Sequence, residues 1–343
     1  MVRKILWASL ALAPATILVD AVAHPGDVAL FVLSAVSLVP LAWLIGDSTE
    51  HAAAHTGPRI GGLLNASFGN APELIIALFA VHDALPDVVR GSLAGSIISN
   101  SLLVLGVTVI AGGDTKIDRL SLMTQLGLVV LAVVLFLIPA VPGFHGNPER
   151  HSLVVTSIPV SVVLLAAYLV VTTRGLRGQR QTAHETDEAW ALSSALGVLA
   201  AATVVTAFIS EILVHSLHAF ADAAGLSEFF IAAVIVAIVG NAAEHGGAVV
   251  IAKRGNMPLA TEIALSSSAQ VGLLVVPVIM LLSLAFAHPL PLSFRWEELL
   301  GMAGASAFVA AVLADGRTRR YEGYVLVTAY AAVVVGFLIA GDR

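Results

Sequence analysis

Two short stretches decide the fold: "GNAPEL", Gly69 to Leu74, and "GNAAEH", Gly240 to His245, 171 residues further along. Each sets a glutamate, Glu73 or Glu244, in an apolar run that holds no Lys or Arg to pair with it. A lone ionised carboxylate in hydrocarbon costs at least roughly 2 to 3 kcal/mol even on lenient scales, so both charges need a partner from outside the run. The 171-residue offset extends beyond the motif: Ile60 to Val104 aligns without a gap on Ile231 to Val275. Gly69, Asn70, Ala71 and Glu73 fall on Gly240, Asn241, Ala242 and Glu244, and Ser96 falls on Ser267. Scattered Ala and Leu matches mean little in this composition, whereas a clustered match around an acid does.

The composition explains why the acids stand out. Of 343 residues, 58% are hydrophobic and 12% charged, with a mean hydropathy of +0.94. A soluble surface normally draws on about 25% charged residues, so the chain reads as a single polytopic membrane domain, residues 1–343, lying in a lipid bilayer. The absence of cysteine removes disulfides, thiolate metal sites and cysteine nucleophiles. A net charge of -6 argues against nucleic acid as a partner.

Apolar runs and their polar breaks predict an all-α protein of eleven spans. They lie near residues 4–23, 28–46, 59–82, 88–111, 120–140, 152–173, 191–215, 226–252, 258–284, 299–314 and 321–340. The tenth is short and has room to extend back towards Trp296. The first also resembles a signal peptide, with "VRK" ahead of an apolar stretch and "AVA" before His24; Pro14 and Asp20 favour a retained helix. Alternating sides put Arg3, Lys4, Arg59, Lys116, Arg119, three linker arginines, Lys253, Arg254, Arg317, Arg319 and Arg320 together, leaving Arg90, Arg150, Arg295 and Arg343 opposite. Basic residues favour the cytoplasmic side, so the N-terminus is expected inside and the C-terminus outside. Residues 174–190, "RGLRGQRQTAHETDEAW", form an expected cytoplasmic linker between halves at 28–173 and 191–340.

The motifs occupy spans three and eight, five crossings apart, so the two copies are expected to insert in opposite directions. Two inverted five-helix repeats plus an extra N-terminal helix follow. Glu50 in "TEHAAAH" and Glu211 in "SEILVHSLH" each precede a motif by one hairpin and support the pairing. Inverted repeats build secondary transporters with the binding site at the midplane.

Two carboxylates across a pseudo-two-fold axis suit one divalent cation, and Ca2+ takes about 6 to 8 oxygen ligands in flexible geometry. Gly69 and Gly240 loosen the helix and free carbonyls; Asn70 and Asn241 add amides; Pro72 removes a backbone donor. The next span of each half carries a polar run, "GSIISNS" (Gly95 to Ser101) and "SSSAQVG" (Ser266 to Gly272), in which Ser99 falls on Gln270. These complete an oxygen shell, or else serve helix packing. With the cation gone, desolvation and mutual repulsion favour protonation of both acids, so Ca2+ and H+ exclude one another. His245, Glu50, Glu211 and Glu262 are candidates for an ion pathway. His51 with His55, and His215 with His218, share helix faces that transition-metal binding would use.

The two motifs, with "GGLLNASFGNAPEL", "SNSLLVLG" and "SSSAQ", closely resemble the signature repeats of the calcium/proton exchanger (CAX) family of the calcium:cation antiporter superfamily. The resemblance covers about Glu50 to Gly113 and Ser210 to Leu282. It implies eleven helices, Ca2+ export in exchange for protons by alternating access, paired glutamates as the metal and proton site, no cofactor, and frequently a homotrimer. Pro72 and the short, weakly acidic linker depart from the family's habit. Sodium/calcium exchangers carry more Ser and Thr near the acid than is seen here. Exchange of Mn2+ for H+, Na+/Ca2+ exchange, a passive cation channel and an intramembrane metalloenzyme are the alternatives; the last lacks an HExxH motif. The short termini and loops suggest a prokaryotic plasma membrane.

Overall fold

The structure, a computed structural model, describes residues 2–23, 25–178 and 190–341, with the side chains of 2, 3, 57–63, 65, 66, 174–178 and 243 left aside. Residues 179–189 of the expected linker therefore lie outside the described residues. The regular secondary structure of the described residues is helical apart from a two-residue pairing of β1 (Thr115–Lys116) with β2 (Arg317–Thr318). Eight of its helices are long and apolar enough to cross a bilayer, or nine if the bent pair Glu228–Gly240 and Glu244–Lys253 counts as one span.

The N-terminal span is α1 (Val2–Ser9) and α2 (Leu12–Ala23), interrupted at Leu10 and Ala11. Pro14 accounts for the interruption, since its ring displaces the carbonyl four residues back and it brings no N–H to bond it. α3 (Asp27–Phe68) runs unbroken where two spans separated at residues 47–58 were expected. The polar stretch there does not cap a new helix. Ser48 and Thr49 turn their hydroxyls back onto the carbonyls of Leu44 and Ile45 at 2.6 and 2.7 Å, which costs little within a helix. The real interruption comes at Gly69 and Asn70, before α4 (Ala71–His82).

α5 (Pro86–Ser99), a π-helical turn (Asn100–Val104) and α6 (Leu105–Gly112) form one long span, followed by α7 (Arg119–Gly143) and α8 (His151–Gly178). α9 (Leu192–Ala224) outruns its expected end at residue 215 because the residues around His215 and His218 still favour a helix. It stops at Gly225, the first residue free to take the left-handed cap (φ +65°). Then come α10 (Glu228–Ile231), a π turn (Ala232–Val236), α11 (Ala237–Gly240), α12 (Ala242–Lys253), α13 (Met257–Gln270), a π turn (Val271–Val275) and α14 (Val276–Ser283). α15 (Trp296–Val312) does extend back to Trp296, and α16 (Arg320–Ala340) closes the order.

The 171-residue offset reappears in these boundaries. α4, α5, the first π turn and α6 fall on α12, α13, the third π turn and α14 residue for residue. Even the connecting turn repeats. Ala84 (φ +57°) and Gly255 (φ +86°) are both left-handed, and Leu85 N–H to Ala80 O (2.8 Å) matches Asn256 N–H to Ile251 O (3.3 Å). Both are helix C-caps of the Schellman type.

The chain separates into two compact units. The first holds Met1–Phe79, Ala167–Gly225 and Val239–Ala243. In it α3 packs on α9, with Phe31 stacked on Phe220 at 4.3 Å and a cluster of Leu44, Ile45, Ala71, Leu199 and Ala202. The second unit holds the remainder and is built around α5, buried throughout from Val88 to Ser99. Gly95 admits the carbonyl of Ala233 so closely that a Cβ there would lie 2.0 Å from the oxygen, and Gly106 faces Gly323 in the same manner between α6 and α16. Two arginines assigned to the sparsely basic side are buried ties. Arg90, 1% exposed, bonds Asp87 and Glu149 at 2.7 Å each and Ser293 Oγ at 3.2 Å. Arg295 donates to Gly341 O at 2.7 Å and lies 4.4 Å over the Phe229 ring.

Candidate cation-binding site

In the first unit, Asn70, Glu73 and Asn241 are buried, at 2%, 7% and 1% exposure. Asn70 sits at the interruption before α4, and its carbonyl receives Leu74 N–H at 3.1 Å. Glu73 falls in the first turn of α4 and Glu244 in the first turn of α12, where the unpaired amides and the helix dipole favour negative charge. Gly240 supplies the close approach: a Cβ there would stand 3.2 Å from Glu73 Cγ and 3.6 Å from its Oε1. The carboxylate of one motif thus rests on the glycine backbone of the other, two points 167 residues apart in the chain.

In the second unit, Glu244 accepts a hydrogen bond from the Ser267 hydroxyl. Ser267 Oγ in turn receives Asn100 Nδ2–H at 2.9 Å, and the other side of that amide, Oδ1, meets His245 Nε2 at 3.2 Å. An amide oxygen only accepts, so His245 donates through Nε2. Ser101 and Ser268 pair at 3.0 Å, and Ser268 donates to Ile97 O at 3.2 Å. This chain of hydroxyl, amide and imidazole joins the first polar run to the second, and its Asn100 opens the π turn. An extra residue per turn is a common device for aiming side chains into functional sites.

Among the residues expected to complete the shell, Ser99 is fully buried but donates to Ser96 O at 3.2 Å on its own helix, and Gln270 is half-buried at the end of α13. Asn100 and Ser267, next to Glu244 in space, were not singled out from the sequence. The available signal was their place in the two polar runs, "GSIISNS" and "SSSAQVG", where a buried amide or hydroxyl must find a partner. Gly69 marks the interruption before α4. Of the pathway candidates, Glu50 and Glu262 are exposed and Glu211 is half-buried.

The histidine pairs have local occupations. His55 Nε2 meets Trp190 O at 2.7 Å, and His51 stacks on the Trp190 ring at 4.4 Å. His215 Nδ1 turns to Glu211 O at 3.0 Å and His218 to Asp222 at 3.5 Å. Among the described residues no three His, Asp or Glu side chains are grouped to hold a metal ion.

The chain is similar to known proteins along most of its length. The sequence profile of the family described as "Sodium/calcium exchanger protein" matches residues 27–174 and 194–339. The chain is 39% identical over 331 residues to the Ca(2+)/H(+) antiporter ChaA of Bacillus subtilis, covering 92% of this chain and 93% of that one. It is 32% identical over 342 residues to a Ca(2+)/H(+) antiporter of Synechocystis, covering 91% of each. The solved structure of native YfkE superimposes with a TM-score of 0.85 at 35% identity, over 97% of this chain and 99% of that one.

Proposed function

The chain belongs to the sodium/calcium exchanger protein family, and we propose that it performs Ca2+/H+ exchange with Glu73 and Glu244 as the groups that carry both ions. The relatives that match along nearly all of its length are named Ca2+/H+ antiporters. The observation that carries the site assignment is the seat of the Glu73 carboxylate on Gly240 of the second motif.

Two ionised carboxylates neutralise one Ca2+. Oxygens of Asn70, Asn241, Ser99, Gln270 and the carbonyls freed at Gly69 and Gly240 add uncharged ligands, as do those of Asn100 and Ser267. When Ca2+ leaves, the acids take up protons rather than remain charged in a dry site. Occupancy by one ion thus excludes the other, and alternating access converts a proton gradient into Ca2+ export. Glu50, Glu211 and Glu262 line aqueous approaches, and His245 holds the second acid's neighbourhood.

The architecture we infer is eleven spans, counting α4, set off from α3 by the interruption at Gly69 and Asn70, as the third and the 17-residue α15 as the tenth. They form two inverted five-helix halves after the N-terminal helix. The shared element boundaries at the 171-residue offset support the repeat, and so does the family profile matching one stretch in each half. The N-terminus faces the cytoplasm of a prokaryotic plasma membrane, the C-terminus faces outward, and the assembly is a homotrimer.

Proton-driven 45Ca2+ uptake into inverted vesicles tests the function. Uptake should collapse on adding a protonophore, and Glu73→Gln and Glu244→Gln should each lower it at least about a hundredfold, the loss of one charge from a two-charge site. Uptake indifferent to the protonophore but dependent on sodium would move the assignment to Na+/Ca2+ exchange. Uptake needing neither gradient would make the protein a channel.

A further inference from the structure

One end of the second unit gathers cations around the small sheet. Lys116 and Arg317 are direct cross-strand partners, and both are exposed. Like charges facing across an antiparallel pair destabilise it. Around them the Arg119 stem lies over Gly316, 3.3 Å from where a Cβ would stand, and the Arg320 guanidinium lies 3.6 Å from the same position on Gly113. The α12–α13 turn brings Lys253 and Arg254 to this end, with Gly112 packed on Ala252 and Met257.

None of these six cations forms an ion pair among the described residues. The acids nearby are engaged elsewhere. Asp118 caps α7 through the N–H groups of Leu120 and Ser121, at 2.9 and 3.2 Å. Asp114 takes Arg320 N–H at 2.9 Å. Asp315 and Glu322 take the Arg319 guanidinium at 2.6 and 2.7 Å. The contacts of Asp315 with Arg319 and with Arg317 N–H, and the charges of both arginines, hold its carboxyl below the usual range, while its hydrogen-bonded side-chain partner is Arg319 and not Arg317. Beside the cations stand Leu120, Tyr321 and Tyr324, exposed by 78%, 60% and 57%. Aromatic side chains next to basic ones are the composition of a membrane–water boundary.

We propose that this end of the protein binds the phosphodiester headgroup of an anionic phospholipid, which bridges Lys116 and Arg317 while its chains lie along Leu120, Tyr321 and Tyr324. The charge complementarity favours a lipid over free phosphate because the cations share their edge with exposed apolar groups that only an amphiphile would cover. Binding of this kind is independent of which ion the protein transports.

The test uses the full chain in neutral detergent, titrated with phosphatidylglycerol, phosphatidylcholine or inorganic phosphate, following the thermal unfolding midpoint and lipid retention by native mass spectrometry. Phosphatidylglycerol alone should raise the midpoint, and added salt should weaken the effect. Lys116→Gln and Arg317→Gln should each weaken phosphatidylglycerol binding about fivefold, and the double variant on the order of thirtyfold. Without lipid the single variants should be as stable as the parent or more so, because a like-charge pair has been relieved. An equal response to phosphatidylcholine, or to inorganic phosphate, overturns the proposal. So does a double variant that keeps the full response, or single variants that lose stability in the absence of lipid.

Discussion

From Ala71 to Gly112, and again from Ala242 to Ser283, the chain runs through the same helix, left-handed turn, helix, π turn and helix, yet the side chains met along the two paths differ. The first carboxylate, Glu73, rests against glycine backbone. Glu244 instead receives a hydroxyl backed by an amide and an imidazole. In α5, Gly95 admits the Ala233 carbonyl, and its counterpart in α13 is Ser266, whose hydroxyl turns to Ile263 O at 3.2 Å. Backbone course depends on helix formers and breakers standing in register, which both copies satisfy. Ligand chemistry depends on single side chains, and these have diverged.

If that division is right, equivalent substitutions should give unequal results, and the widest gap falls at Gly95 and Ser266. A Cβ on Gly95 meets backbone 2.0 Å away, which cannot swing aside, so Gly95→Ala should cost roughly 3 kcal/mol or more. Ser266→Ala loses one local hydroxyl contact and should cost well under about 1 kcal/mol. Thermal unfolding of the two purified variants decides the matter. Equal losses would mean that the close approach is not confined to the first copy.

A smaller gap is expected at Ser267. Its hydroxyl is the donor to Glu244 and the acceptor for Asn100, and a hydrogen bond to a charged group contributes about 1.5 to 3 kcal/mol. Ser267→Ala should therefore raise the KM for Ca2+ on the order of tenfold and, by leaving the buried Asn100 amide without its acceptor, lower stability by about 1 to 3 kcal/mol. Ser96→Ala, at the equivalent position, should raise it less. The same rise in both would make the hydroxyls symmetric, and the asymmetry around the two acids would have to lie in His245 and Asn100.

Much of this was legible in the sequence, for physical reasons. Apolar runs near 20 residues have few alternatives to a membrane helix, and a repeated acid in such a run requires a partner that the run lacks. The continuity of α3 was not legible, because "GDSTEHAAAHTGP" mixes helix formers with breakers, and Ser48 and Thr49 bond back to the helix's own carbonyls instead of capping a new one. The partners of Glu244 were hidden for another reason. Asn100 falls on Val271 at the 171-residue offset, so pairing by matched positions passes over it. Extending the register pair Ser99 and Gln270 to the site assumed symmetric ligands. The hydrogen bonds formed here by Asn100 and Ser267 come from unequal positions.

The finest contrast lies in the turns that close α4 and α12. Both caps demand a left-handed residue; one copy supplies glycine at 255 and the other alanine at 84. Alanine there sets its Cβ against the carbonyl, a strain of about 1 kcal/mol that glycine lacks. The turn nevertheless keeps its form, because Leu85 N–H to Ala80 O at 2.8 Å secures it. Ala84→Gly relieves the strain but enlarges the freedom of the unfolded chain, which takes back about 0.4 to 1 kcal/mol, so its net gain should be no more than a few tenths of a kcal/mol. Gly255→Ala pays the strain against a similar saving in the unfolded state, and should come out slightly destabilised. Measured as unfolding midpoints, the two shifts should carry opposite signs. Matching signs would show that the two turns, identical in backbone, are held by different surroundings.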